Sequence, residues 1–228
     1  MRILALTPIK DEYDALTSSL HRLGFVSYGR STGRLPFLSY LGGSLVVAQG
    51  GLGKAQFGIQ AQHAIDTMRD RDIVICAGSA GGLSDDLKIG DVVVATETVE
   101  HDFKWGILSG KPLPRFPGDR KAIAVLENEL PMMEESFDVH FGIVASGDEG
   151  IVDPKRASEL RKDTGAIAVA WEGAGGARAA DFSDLPFLEV RGISDGAGED
   201  ATSEFHENLP QAVQNVATIV LTLAQILP

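Results

Sequence analysis

Along the chain, short apolar runs alternate with longer stretches in which apolar positions recur every three or four residues. Arg2–Leu6 is one such run and predicts a buried strand. Asp11–Leu23 carries Tyr13, Leu16, Leu20 and Leu23 on one helical face, with Gly24 placed to stop the helix. Runs at Phe25–Tyr28, Phe37–Tyr40 and Ser44–Val47, separated by turns at Gly33 and Gly42-Gly43, predict an antiparallel meander. Gly50-Gly51-Leu52-Gly53-Lys54 then opens a helix that turns Phe57, Ala61, Ile65 and Met68 inward. Asp72–Cys76 is an unbroken Ile/Val run of the kind buried on both faces, and it leads into a Gly-rich turn, Gly78-Ser79-Ala80-Gly81-Gly82.

Further strands are predicted at Asp91–Ala95, Val139–Ala145, Ala166–Trp171 and Phe187–Ile193. Helices are predicted from Gly118 to Leu130, after Glu172, and from Ser203 to Leu227 with Leu209, Val213, Val216, Val220 and Leu223 as its apolar stripe. Lys111–Gly118 contains Pro112, Pro114 and Pro117 and reads as a loop. No repeat, low-complexity tract or linker interrupts this order. The pattern predicts an α/β fold over residues 1–228, one domain of three α/β/α layers around a mixed, mainly parallel sheet.

Composition narrows the partners. The 228 residues are 44% hydrophobic and 23% charged, an ordinary globular balance. With 20 Lys+Arg against 32 Asp+Glu the net charge is −12, which weighs against nucleic acid, whose phosphates require basic patches. The single Cys76 cannot form an internal disulfide, so a reducing, cytoplasmic setting is expected. No secretory signal opens the chain, and no apolar run reaches the ~18 residues that would span a bilayer, so no membrane partner is expected.

In open α/β sheets ligands bind beyond the carboxyl ends of the strands. The residues following the predicted strands include Lys10-Asp11-Glu12, the turn at 78–82, Ser146-Gly147-Asp148-Glu149-Gly150, Glu172 and Ser194-Asp195-Gly196. Three carboxylates, Glu12, Glu172 and Asp195, would converge there, a set suited to acid/base work on a small polar molecule. Gly50–Lys54 is not a P-loop, because Ala48 and Ala55 stand where Gly and Ser/Thr are required. Ser79 is not a nucleophile elbow, because Ala77 replaces the first Gly. The five histidines show no paired ligand spacing, so neither a metal nor another cofactor is expected. Each carboxylate also has an ordinary structural reason for its place. Glu12 and Glu172 begin helices, where acids suit the dipole, and Asp195 sits in a Ser-Asp-Gly turn sequence.

Taken in order, eight motifs resemble the nucleoside phosphorylase/nucleosidase superfamily, and most nearly the methylthioadenosine/S-adenosylhomocysteine nucleosidases. They are Lys10-Asp11-Glu12, Gly51-Leu52-Gly53-Lys54, Gly78 to Leu83, Lys88 to Val93, His101-Asp102, Ser146-Gly147-Asp148, Ala168 to Ala174 and Val190 to Asp195. The resemblance implies that Glu12 positions an attacking water, with Ser79 and Arg191 helping to hold it. It implies that Glu172 binds ribose hydroxyls and that Asp195 protonates N7 of a departing purine. Ala80, Gly81, Ile151, Trp171, Ser194 and Phe205 fall among its substrate-binding positions, and relatives of this kind form homodimers whose neighbour helps close the 5′ pocket.

Two departures stand out. The family's base-stacking Phe falls at Gly150, and its ribose-flanking Met falls at Trp171. The arginines by which phosphorylases hold phosphate are missing, Cys76 occupying one such place, so water is the expected nucleophile and a 5′-modified purine nucleoside the expected substrate. The alternatives are a phosphorylase in which Lys10 replaces arginine and a nucleoside-binding protein without catalysis.

Overall fold

The computed structural model describes residues 1–32, 34–68, 70–106 and 110–227. Its elements run β1 (Ile3–Thr7), α1 (Lys10–Arg22), β2 (Tyr28–Thr32), β3 (Leu35–Tyr40), β4 (Leu45–Gln49), α2 (Gly53–Thr67), β5 (Ile73–Gly82), β6 (Val92–Glu100) and β7 (Arg115–Pro117). They continue α3 (Arg120–Glu129), β8 (Val139–Ser146), α4 (Pro154–Thr164), β9 (Ala168–Ala170), α5 (Gly173–Phe182), β10 (Phe187–Asp195) and α6 (Ala201–Ile226).

Alternation within the strands creates the layers, since successive side chains leave a strand on opposite faces. In β1, Ile3 and Ala5 join a core with Leu16 and Leu20 of α1 and Val213, Val216 and Val220 of α6. Leu4 and Leu6 face the other way, against Phe57, Ala61 and Ile65 of α2 and Ala177 and Ala180 of α5. The strand is buried on both faces, as its unbroken apolar run requires. The whole predicted stripe of α6 is buried as well.

The strands follow the order β10-β6-β8-β9-β5-β1-β4-β3-β2, with β7 added to β6. Because β10 pairs with both β5 and β6, strands β5, β10, β6, β8 and β9 close into a ring, from which β1, β4, β3 and β2 extend. Among the described residues five pairings are parallel and five antiparallel. The sheet is mixed, and closing the ring sets β10 against β6 and β9 against β5 in antiparallel sense.

Several local readings change. Gly78–Gly82 is no turn: β5 runs straight through it. Part of the Pro-rich loop is β7, an edge strand, the one place in a sheet that tolerates Pro117. Leu23 lies outside α1 and is 54% exposed, because the helix ends at Arg22. Helix α4 was not signalled by apolar periodicity, since only Ala157, Leu160 and Thr164 of it are buried; its marks are the Asp153 cap, Pro154 and Gly165. The turn at Gly33 lies outside the described residues.

Candidate active site

Register assembles the site. Gly81 of β5 pairs with Asp195 of β10 on one side and with Val169 of β9 on the other. The end of β9 therefore delivers Glu172 to the same place as Asp195. Glu12 arrives separately, in the first turn of α1 beyond β1.

Glu12 is 3% exposed and held by three donors. Its Oε2 accepts the Ile9 N–H at 3.1 Å, which caps α1, and its Oε1 accepts both the N–H and the hydroxyl of Ser79 at 2.7 Å. The helix-terminal role and a role in the site thus coexist in one carboxylate. Two glycines of β5 permit the approach of the acids. A Cβ at Gly78 would stand 2.8 Å from Glu12 Oε1 and 2.9 Å from Arg191 Nη1, and one at Gly81 would stand 2.8 Å from Asp195 Oδ1. The glycine run is there to clear side chains, not to bend the chain.

Arg191 is buried and organises the acids around it. Its Nε donates to Glu189 Oε1 at 2.8 Å, Nη2 to Glu172 Oε2 at 3.2 Å and to Cys76 Sγ at 3.2 Å, and Nη1 to the Ser79 carbonyl at 3.1 Å. Four of its five N–H groups are thereby engaged. The Cys76 thiol, packed in the core, is pushed well above its ordinary range by burial. Glu172 also accepts the Gly53 N–H at 3.1 Å. Burial raises the Glu172 pKa, against the pull of the Arg191 charge.

Among the described residues no cation pairs with Asp195. Its Oδ2 accepts the Ser194 hydroxyl at 2.8 Å and its Oδ1 the Ala197 N–H at 3.0 Å. Burial raises its pKa, and these two hydrogen bonds offset that rise only in part. The Ser194 hydroxyl also lies 3.3 Å from the Ala80 carbonyl, so its one proton has two acceptors within reach.

The expected catalytic and substrate-binding residues all line one cavity of about 340 Å³, whereas Lys10 and Cys76 do not line it. Glu12, Glu149, Glu172, Asp195 and Arg191 supply its charge, Ser79, Ala80, Gly81 and Ser194 its small polar side, and Ile151, Trp171 and Phe205 its apolar walls. Glu189 was missed, although its spacing of two from Arg191 in an otherwise apolar strand puts both on one face. Thr98 donates to its second oxygen at 2.5 Å.

A second network explains motifs that had no assigned role. Lys54 Nζ donates to Glu100 at 3.1 Å and to Asp102, the Asp148 N–H donates to Asp102 at 2.9 Å, and the Lys54 N–H donates to Asp148 at 2.9 Å. The Gly53, His101 and Gly147 segments are tied together beside the Gly53–Glu172 contact. Burial opposes the Lys54 charge, but Asp102 and Glu100 outweigh it and hold its pKa above that of an ordinary lysine. Among the described residues one trio, Asp91, Asp138 and His140, has metal-ligand types with atoms within 4.8 Å of one another. None of the three lines the cavity, and the Asp91 oxygens already meet Lys88 N, Asp138 N and His140 Nε2.

Comparison with known proteins gives the family. The family model described as the Phosphorylase superfamily matches residues 2–225. A 5′-methylthioadenosine/S-adenosylhomocysteine nucleosidase of Exiguobacterium is 34% identical over 195 residues, covering 82% of this chain and 82% of that protein. A Bacillus subtilis protein of the same name is 31% identical over 190 residues, 80% of this chain and 81% of its own. Among solved structures, the nucleosidase of that name from Neisseria meningitidis, in complex with methylthio-immucillin-A, has a TM-score of 0.85 at 30% identity, covering 98% of both chains. Futalosine hydrolase of Helicobacter pylori has a TM-score of 0.86 at 23% identity, covering 99% of this chain and 97% of that one, a likeness of fold.

Proposed function

The chain belongs to the phosphorylase superfamily, and from that premise we infer that it is a nucleosidase. It hydrolyses the N-glycosidic bond of a purine-type nucleoside, 5′-methylthioadenosine, S-adenosylhomocysteine or a close 5′-modified relative, to free base and the ribose derivative. We propose that residues 1–228 work as one domain in this, with the site residues in the following roles.

Cleavage passes through a sugar with oxocarbenium character, so charge develops on the ring while the base must leave with a proton. Glu172, fixed by Gly53 and Arg191, accepts hydrogen bonds from ribose hydroxyls and stabilises the ring cation. Glu12 has one donor on Oε2, which leaves that oxygen room to accept a hydrogen bond from a water and aim it at the anomeric carbon. As the C–N bond breaks, the electron pair goes to the purine, and Asp195 passes its proton to N7. The water oxygen bonds to the anomeric carbon and its surplus proton goes to solvent by way of Glu12. Arg191 and Ser79 are positioning residues. The reaction as written needs no cofactor.

The observation that carries hydrolysis over phosphorolysis is the charge of the cavity wall. Among the described lining residues Arg191 is the one cation, and its guanidinium is taken up by Glu172, Glu189, Ser79 and Cys76. A phosphate dianion would find no free bidentate donor and four nearby acidic side chains, Glu12, Glu149, Glu172 and Asp195. We propose a cytoplasmic homodimer, supported by the free Cys76 and by exposed Leu52, Val152 and Trp171, which line the cavity as apolar positions a second copy could cover. No helix among the described residues is long and apolar enough to cross a membrane.

The test is a nucleoside panel incubated with and without inorganic phosphate. Equal release of base and free sugar in both arms is the expected result. Strict phosphate dependence with a sugar 1-phosphate as product would replace the reading by phosphorolysis, and no turnover with tight binding would replace it by a carrier.

A further inference from the structure

The cavity is chemically lopsided: Glu172 is paired with Arg191, with Glu12 beside them on Ser79, while Leu52, Ile151, Val152, Trp171 and Phe205 give it a broad apolar lining. A purine is flat, and a cavity that holds one well must give its π face a surface to lie against. Among the described lining residues only Trp171 and Phe205 are aromatic. Phe205 sits on α6, where it packs against the main core and meets the His206 ring edge-on, with centroids 5.3 Å apart. Trp171 is different. It is 37% exposed despite its size, and it directly precedes Glu172.

Its backbone is fixed. The Ser146 hydroxyl donates to the Trp171 carbonyl at 3.0 Å and accepts the Ala174 N–H at 2.9 Å, locking the entrance to α5. Its ring is seated against Gly150: a Cβ built at Gly150 would lie 3.7 Å from Trp171 Cζ2 and meet no other atom so closely. A methyl group there would just touch the indole, and any longer side chain would compete with the ring for the same space. Gly150 and Trp171 are therefore a complementary small–large pair, and both line the cavity.

We propose that the Trp171 indole, seated over Gly150, is the face on which the base stacks, and that this pair makes the site tolerant of the base it holds. The inference rests on the nucleosidase reading and deepens it. Trp171 and Glu172 are adjacent in the chain, so the indole on one side and the ribose-binding carboxylate on the other grip base and sugar from a single rigid corner. Base–aromatic stacking is worth a factor of roughly 5 to 160 in affinity and is tolerant of base identity. The site accordingly accepts purines that differ in their exocyclic groups more evenly than one relying on polar contacts alone.

Two readouts test this. With Trp105→Phe, Trp171 becomes the sole tryptophan of the chain. Free adenine is then expected to quench its fluorescence in a saturable manner, and an unchanged signal overturns the proposal. In steady-state assays with 5′-methylthioadenosine, Trp171→Leu is expected to raise KM about ten-fold with a smaller change in kcat. Trp171→Phe is expected to recover most of that loss. Gly150→Phe alone is expected to raise KM by crowding the indole, and Gly150→Phe with Trp171→Leu to bring KM back toward the wild-type value by supplying the ring from the other side. A wild-type KM in Trp171→Leu, or additive losses in the double variant, overturns the proposal. If the wild-type protein hydrolyses no nucleoside, the nucleosidase reading fails instead, and adenine quenching still decides whether the pair binds a base.

Discussion

Two corners of one cavity hold carboxylates in opposite ways. Around Arg191, the acids Glu172 and Glu189 share a buried guanidinium that supplies charge, shape and one hydrogen bond to each. At the end of β10, Asp195 is buried with neutral partners, a hydroxyl and an amide N–H. Burial raises the pKa of both Glu172 and Asp195, but only Glu172 has a cation pulling it back. The lesson is the general one for acid and base pairs on one scaffold: the environment, not the residue type, decides which carboxyl keeps its proton. The Arg191 corner favours a charged carboxylate, and the Asp195 corner favours a carboxyl that keeps its proton, as the proposed acid requires.

The sharpest way to break this comparison is to remove the cation. Arg191→Met strands two buried carboxylates, and breaking a buried pair from one side costs about 3–5 kcal/mol. Urea denaturation should show a loss of that size together with loss of turnover. Unchanged stability would mean that the corner does not depend on its guanidinium. Asp195→Asn should behave oppositely. Turnover should fall by about 10²–10⁴-fold, the usual yield of a positioned acid, while the thermal midpoint stays level or rises, because the fold disfavours the charge being removed. A loss of stability matching that of Arg191→Met would erase the distinction.

Lys54→Met probes whether the loop network feeds the charged corner. A loss of about 1–2 kcal/mol is expected, read as a midpoint lowered by about 2–4 °C per kcal/mol, with kcat reduced through Glu172. An unchanged kcat would uncouple the two. The smallest effect is on pH. In its proposed role as general acid Asp195 must be protonated, so the rate should fall as pH rises through its raised pKa. The Ser194 hydroxyl favours the ionised form, hence Ser194→Ala should raise that pKa further and move the alkaline limb of kcat/KM to higher pH. A limb that moves down, or stays, would remove Ser194 as the tuning partner.

Much of this was legible in the sequence because it is local. Glu12, Glu172 and Asp195 each follow an apolar run, and the position beyond a strand end is where a sheet offers groups to a ligand. Glu189 was harder to see, since its meaning depends on a guanidinium two residues away and on burial that makes the pair obligatory. Helix α4 announced itself only through Asp153, Pro154 and Gly165, because a helix with a mostly solvated surface has a weak apolar stripe. The closed ring was not legible at all. The pairing of β10 with both β5 and β6 joins segments about a hundred residues apart, and no short-range pattern encodes such a contact. The run 78–82 misled for a plainer reason: a glycine needed for a turn and a glycine needed to make room look identical in a sequence.

Those two glycines also shape how such a protein can change over generations. At Gly78 and Gly81 even one added carbon would collide with Glu12, Arg191 or Asp195, so strand and acid set must be inherited together or lost together. The wall opposite is free of that bond: Gly150, Ile151 and Val152 sit in a connecting segment, and Ala201, Thr202 and Phe205 in the first turns of a helix. A lineage can therefore exchange one nucleoside for another by redrafting the wall while the chemistry passes down intact.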